Sequence, residues 1–283
     1  MITQPPADVL DAFECGGVPV RLEGGKGGTW RVGDVVLKPV EFAPETRWRA
    51  EALAAVTESA EFRIARPLRT GGGSWIAGEG ADGPNSSGGN PSRSPASAQG
   101  WEASRLVLGR PDTSRPDDAV RAGIAFHQAI AHLPRPEFLD LRTDPWAVGD
   151  RVAWEELPPD ASATARRLLD PLLAARRPVE LTAQAVHGDL PGNVLFAPGQ
   201  PPAVIDWAVY WRPPSWAAAV AVADALCWYK AVPGLIDRWA HLPEWRQMLI
   251  RALVYRIVTH DLAGHWTPDQ VSAYQPAIAA VLS

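Results

Sequence analysis

The hydrophobic period of the chain changes once, near residue 108, and that change restricts the fold more than any other feature of the sequence. Before it, apolar residues fall in short alternating runs punctuated by glycine; after it they recur at helical spacing over long stretches. Val18 to Leu22, Thr29 to Val32 and Asp34 to Val40 read as strands, with Gly24 to Gly28 as a hairpin tip. A helix is expected from Pro44 through Glu58, with Glu45 in its first turn and Trp48, Leu53 and Val56 as its apolar stripe. Phe62 to Leu68, Ser74 to Ala77 and Trp101 to Leu108 are further strand candidates. Beyond them, Pro116 to Leu133, Asp160 to Arg176, Pro213 to Tyr229, Pro243 to His260 and Thr267 to Leu282 carry the helical pattern, and extended structure returns only around Gln184 to Asp206. The expected fold class is therefore α+β: a small antiparallel-sheet region over 1–108, then a larger, mainly helical region over 109–283.

Gly78 to Gly100 interrupts the first region. Of its 23 residues 16 are Gly, Ser, Pro or Asn, and none is a large aliphatic or an aromatic. Such a segment cannot bury enough apolar surface to offset its ordering entropy, so it reads as a mobile loop inserted in a hairpin. Loop length costs little free energy, and an insertion of this kind needs no function.

Charge and cysteine content exclude whole classes. The 27 basic and 32 acidic side chains give a net charge of -5, without the positive excess of a dedicated nucleic-acid binder. Cys15 and Cys227 are far apart, so neither a disulfide framework nor a zinc site is indicated, and a cytoplasmic location is expected. No targeting signal is read at the start, and the longest apolar stretch, Trp216 to Ala223, is much shorter than the roughly 20 residues that span a bilayer. Only Lys26, Lys38 and Lys230 are lysines, which makes each of them an unusual choice.

The chemistry concentrates in His187-Gly188-Asp189-Leu190-Pro191-Gly192-Asn193 and in Val204-Ile205-Asp206-Trp207. Two carboxylates and a carboxamide sit at strand ends, separated by a turn and a short hairpin, where rigid strands can aim them at one point. Asp189, Asn193 and Asp206 are hard oxygen donors of the type magnesium takes when it bridges protein groups to substrate phosphates, with one carboxylate left free as a base. The competing reading is a pair of ordinary turns whose Asp and Asn satisfy backbone donors.

The pattern resembles the aminoglycoside phosphotransferase-like and choline-kinase-like small-molecule kinases, relatives of the protein kinases. The resemblance implies a bilobal protein kinase-like fold that binds ATP, or GTP, with Mg2+, and phosphorylates a hydroxyl of a small molecule of sugar, aminoglycoside or amino alcohol type. It implies that Asp189 is the catalytic base, that Asn193 and Asp206 hold the metal, and that His187 braces the loop. Lys38, on the strand after the glycine hairpin, resembles the lysine that contacts the nucleotide phosphates. Glu51 is similar to the helix glutamate that orients it, with Glu45 as the competing candidate. Gly25, Gly27 and Gly28 would let backbone amides approach a phosphate, Thr29 would add a hydroxyl, and Trp101 to Leu108 would border the adenine. His127 resembles a packing histidine of the family. Partners other than a small-molecule acceptor are not implied, neither nucleic acid nor membrane.

The sequence departs from that family in two places. Only Leu190, Pro191 and Gly192 separate Asp189 from Asn193, one residue fewer than usual, and Gly192 is the residue that permits a tighter turn. The Gly-Asp-Pro expected after the metal Asp is replaced by Tyr210 to Trp216, where Ser215 is a candidate helix cap. The shortened loop keeps a second reading open, a nucleotide-binding pseudokinase with a regulatory or partner-binding role. Trp207, Tyr210, Trp211, Trp216 and Trp228 suit either a core or an aromatic surface for a sugar face or a quaternary ammonium group.

Overall fold

The computed structural model describes residues 4–23, 27–78, 100–264 and 266–283. Most of the expected insertion, residues 79–99, lies outside them, as does Gly25 of the glycine hairpin. The architecture is α+β, with an antiparallel sheet in the N-terminal region and helices in the C-terminal region. Two compact units divide the chain: Met1–Thr57 with Ile64–Leu108, and Glu58–Arg63 with Gly109–Ser283.

In the first unit a short helix α1 (Ala7–Ala12) precedes β1 (Val20–Arg21), β2 (Trp30–Val32), β3 (Val35–Pro39) and α2 (Ala43–Ala55). The short β4 (Arg63–Ile64) falls where the chain passes from one unit to the other, and β5 (Pro67–Leu68) and β6 (Trp101–Arg105) follow in the first. The five-stranded order is β1-β2-β3-β6-β5, with β3 and β6 paired from Val35 opposite Arg105 to Pro39 opposite Trp101. Ser74 to Ala77 contributes only the bridge of Ala77 to Trp101. Alternation decides the faces. Val35, Leu37 and Ala103 are buried in one cluster with Val9 and Phe13, so α1 covers that side. Lys38 and Glu102 stand opposite each other on the other side, and Arg49 of α2 grips Glu102 at 2.7 Å, which places α2 over the Lys38 face.

In the second unit β7 (Arg110–Pro111) leads to α3 (Pro116–Ala129), a short 3-10 turn (Glu137–Leu141), α4 (Pro145–Ala153) and α5 (Ala163–Ala175). Then follow β8 (Gln184–His187), the hairpin β9 (Val194–Phe196) and β10 (Ala203–Val204), and β11 (Val209–Arg212). The chain closes with α6 (Pro214–Trp228), α7 (Gly234–Arg238), α8 (Trp245–Leu262) and α9 (Pro268–Leu282). The Ala- and Val-rich α6 is buried from Ser215 through Ala225, as a helix apolar on all sides must be. α8 is buried along most of its length and packs against α4, α5, α6 and α9.

Several expectations need correction. α1, α4 and α7 are helices that the hydrophobic pattern did not signal, and β11 extends the strand region beyond Asp206. Ser215 does not cap α6: the helix begins at Pro214, whose missing N–H suits the first helical position, and Ser215 is buried inside the first turn. The aromatic residues after Asp206 separate into two groups. Trp207, Tyr210 and Trp216 are core, Trp216 meeting Tyr210, Tyr255 and Trp154 edge-on at centroid distances of 5.4, 5.4 and 6.4 Å. Trp228 keeps 37% of its surface exposed. Trp216→Ala should therefore cost about 3–5 kcal/mol in a urea unfolding titration, and Trp228→Ala clearly less.

Candidate active site

The candidate site is assembled by β8, the β9–β10 hairpin and β11. β8 and β11 pair antiparallel with His187 opposite Val209, and Gly188 N–H donates to Ala208 O at 3.0 Å, so both strands end at one place. Ala185 and Val186 bury this ladder, and the Trp207 indole ties it by donating to Val186 O at 3.0 Å. A side chain on Gly188 would run into the Tyr210 ring, so only glycine lets the strand pass there. In the hairpin Val194 lies opposite Val204, and Ile205 N–H donates to Asn193 O at 2.9 Å. That bond sets Asn193 and Asp206 at the same end of the hairpin.

Asn193 follows Asp189 through a tight turn closed by Asn193 N–H to Leu190 O at 2.9 Å. Gly192 adopts φ +84°, the left-handed region where glycine carries no Cβ penalty. Across this turn Asn193 Nδ2 donates to Asp189 O at 2.7 Å and to Asp189 Oδ2 at 3.1 Å. Asp206 is exposed and also left-handed, at φ +50°. Asp and Asn tolerate that region better than most side chains, and Glu14, Glu155, Lys230 and Glu244 adopt it as well.

His187 has the bracing role expected of it. Its Nδ1 accepts from Asp189 N–H at 3.1 Å, which leaves the proton on Nε2 to donate to Ile205 O at 2.9 Å. Beneath it, His127 of α3 accepts the His187 backbone N–H at its Nε2, at 2.9 Å. His127 is more than a packing residue, since it satisfies a buried strand donor.

Asp189 is half-exposed, and its Oδ1 accepts from Arg256 of α8 at 2.7 Å. Arg256 simultaneously forks onto Asp224 of α6, Nε to Oδ1 at 2.9 Å and Nη2 to Oδ2 at 2.5 Å. Burial opposes the Arg256 charge, but Asp224, Tyr255 and Asp189 outweigh it and hold its pKa well above the ordinary value. Motif reading missed Arg256. The signal available was the pair of charged residues, Arg251 and Arg256, inside the otherwise apolar run Met248 to Val258 of a buried helix. Of the other acidic residues along the C-terminal helices, Glu244 is engaged by Arg177, and Asp261 by Ser162 and Trp266.

In the first unit, Lys38 is half-buried at the end of β3. The structure directs Glu51 elsewhere: it is on the exposed side of α2, where its Oε2 accepts from Arg69 and from the Trp75 indole, both at 2.8 Å. Glu45, in the first turn of α2, is half-buried instead. Gly27 has φ +74° and its carbonyl accepts from Arg21 Nε at 2.9 Å, while Thr29 O accepts from Leu22 N–H at 2.9 Å to continue the hairpin. Gly28 is buried beside them.

A family model described as "Phosphotransferase enzyme family" (APH) matches residues 26–250. The chain belongs to that family. This APH-family chain is a small-molecule kinase, and its fold is shared with solved structures of low identity. A thermostable mutant of the aminoglycoside phosphotransferase APH(4)-Ia, in a ternary complex with ADP and hygromycin B, superposes with a TM-score of 0.58 at 17% identity, over 96% of each chain. A microcompartment-associated aminopropanol kinase gives 0.59 at 14% identity, over 97% of this chain and 93% of its own. Spectinomycin phosphotransferase APH(9)-Ia, with ADP and spectinomycin, gives 0.56 at 13%, over 93% and 92%. No curated protein sequence matches this APH-family chain.

Two predictions follow from the loop and the histidines beneath it. A Cβ on Gly192 would touch nothing, so Gly192→Ala should cost only the left-handed backbone penalty, about 1–2 kcal/mol by chemical denaturation. Burial, reinforced by His187, pushes His127 down to about 3 from 6.5. The unfolded chain therefore binds the extra proton first, and stability falls as pH drops from 6.5 toward 3, by up to about 1.4 kcal/mol per pH unit. His127→Gln should lose less stability than wild type between pH 7 and pH 5 in urea titrations, about 2 kcal/mol less.

Proposed function

We propose that this kinase binds ATP, or GTP, together with magnesium and transfers the γ-phosphoryl group to a hydroxyl of a small molecule of sugar, aminoglycoside or amino alcohol type. The observation that carries the reading is the shared placement of Asp189, Asn193 and Asp206 around one loop and one hairpin, with the Asp189 carboxylate half-exposed and backed by a buried scaffold. The nucleotide complexes of the fold relatives point the same way.

Asp189 would accept the proton of the acceptor hydroxyl as that oxygen attacks phosphorus. The donor set fits magnesium: a carboxylate at Asp206 and a carboxamide oxygen at Asn193, both hard, with no group of three or more His, Cys, Asp or Glu among the described residues to cage an ion by protein alone. Magnesium, when bound, would neutralise charge on the phosphates. Lys38 would contact the phosphates as a point charge. With Glu51 occupied by Arg69 and Trp75, Glu45 is the better candidate to orient that lysine. Gly27, Gly28 and Thr29 would form the described part of the phosphate-covering turn.

The shortening that motivated the pseudokinase reading is absorbed by Gly192, so a catalytic reading is favoured. A cytoplasmic setting accords with the free thiols of Cys15 and Cys227. Among the described residues no helix is long and apolar enough to cross a membrane.

Calorimetry with ATP, with and without magnesium, tests this reading. Asp206→Gly keeps the left-handed backbone available, so it should fold with a stability within about 1 kcal/mol of wild type while losing the magnesium-dependent part of nucleotide affinity. Asp189→Ala should bind nucleotide within about twofold of wild type and lose roughly 10²–10⁴-fold in turnover. Wild-type protein that is folded and binds no nucleotide would sink the proposal.

A further inference from the structure

Arg256 stands between two carboxylates that differ in their surroundings. Asp224 retains 7% of its side-chain exposure and Asp189 46%, while the Arg256 side chain joining them retains 13%. The fork onto Asp224 consumes Nε and one direction of Nη2, and it fixes the guanidinium plane. From that fixed plane Nη2 reaches Asp189 Oδ1 at 2.7 Å, while Asn193 Nδ2 holds Oδ2 at 3.1 Å and His187 Nδ1 takes the Asp189 backbone N–H at 3.1 Å. Each oxygen of the carboxylate is held, from two different directions.

We infer that Arg256 is a positioning residue for the transfer reaction: anchored by buried Asp224, it sets the orientation of the Asp189 carboxylate. The inference rests on Asp189 being the base. If Arg256 merely joined α6 to α8, the Asp224 fork would suffice and contact with a half-exposed carboxylate would be unnecessary. A lysine there would supply charge without the planar fork and could not hold both carboxylates in the same geometry.

The test uses the full chain, with MgATP as substrate and water as the phosphoryl acceptor: water oxygen bonds to the γ-phosphorus, the bond to the ADP oxygen breaks, and ADP and phosphate are measured. kcat and KM for ATP are compared for wild type, Asp189→Asn, Arg256→Gln, Arg256→Lys and the neutral pair Asp224→Asn with Arg256→Gln, with melting temperature recorded for each. The expected result is a kcat about 10- to 100-fold lower in Arg256→Gln with KM for ATP within about twofold, the loss equivalent to one charge-assisted hydrogen bond. Arg256→Lys should recover part of kcat. The neutral pair, which leaves no buried charge unpaired, should melt near wild type and remain slow.

A kcat within about twofold of wild type in Arg256→Gln overturns the inference, as does recovery of wild-type turnover in the neutral pair. Failure of all three Arg256 variants to fold assigns the residue to the scaffold and also overturns it. Asp189→Asn separates the two levels. If it is slow while the Arg256 variants are fast, only the positioning role fails. If it turns over like wild type, or if folded wild type shows no turnover, the assignment of Asp189 fails first and the inference with it.

Discussion

One neutral imidazole carries the geometry of the site. The ring of His187 is buried between two loops that are distant in sequence, and it satisfies a donor on one and an acceptor on the other. Both bonds require the same tautomer, so neither loop can shift without leaving a buried backbone group unpaired. His127 closes the arrangement from below by taking the N–H of the same residue. The ladder of β8 with β11, the Ile205 to Asn193 bond and the turn at Gly192 all converge on this ring, which makes the distance between the Asp189 and Asp206 backbones a property of the core.

The electrostatic setting has a similar economy. Three carboxylates of the second unit differ in their degree of compensation. Asp224 is buried and fully forked by Arg256, Asp189 shares the same guanidinium while half-exposed, and Asp206 stands exposed on a strained backbone. A graded series of this kind lets three like charges occupy one region of a small unit without collapsing into mutual repulsion.

Much of this was legible in the sequence, and what was not has identifiable causes. The long helices announced themselves by period and by local caps such as Thr267, whose hydroxyl and Gln270 form a capping box at the start of α9. The loop of Asp189 and Asn193 and the hairpin that ends at Asp206 were legible because their residues lie close together in the chain. α1 has only six residues and one fully buried side chain, too few for a period to register, and α4 carries Gly149 in its interior although Asp144 and Pro145 mark its start. Choosing between Glu45 and Glu51 depends on how α2 is rotated over the sheet, which its weakly patterned faces do not state. Arg256 meets Asp189 across 67 positions of chain, and no spacing rule reaches that far.

α8 is both the packing axis of the second unit and the bearer of Arg256. A helix so placed has little freedom to drift over evolutionary time, because any repacking that rotates or slides it is transmitted to the carboxylate it touches.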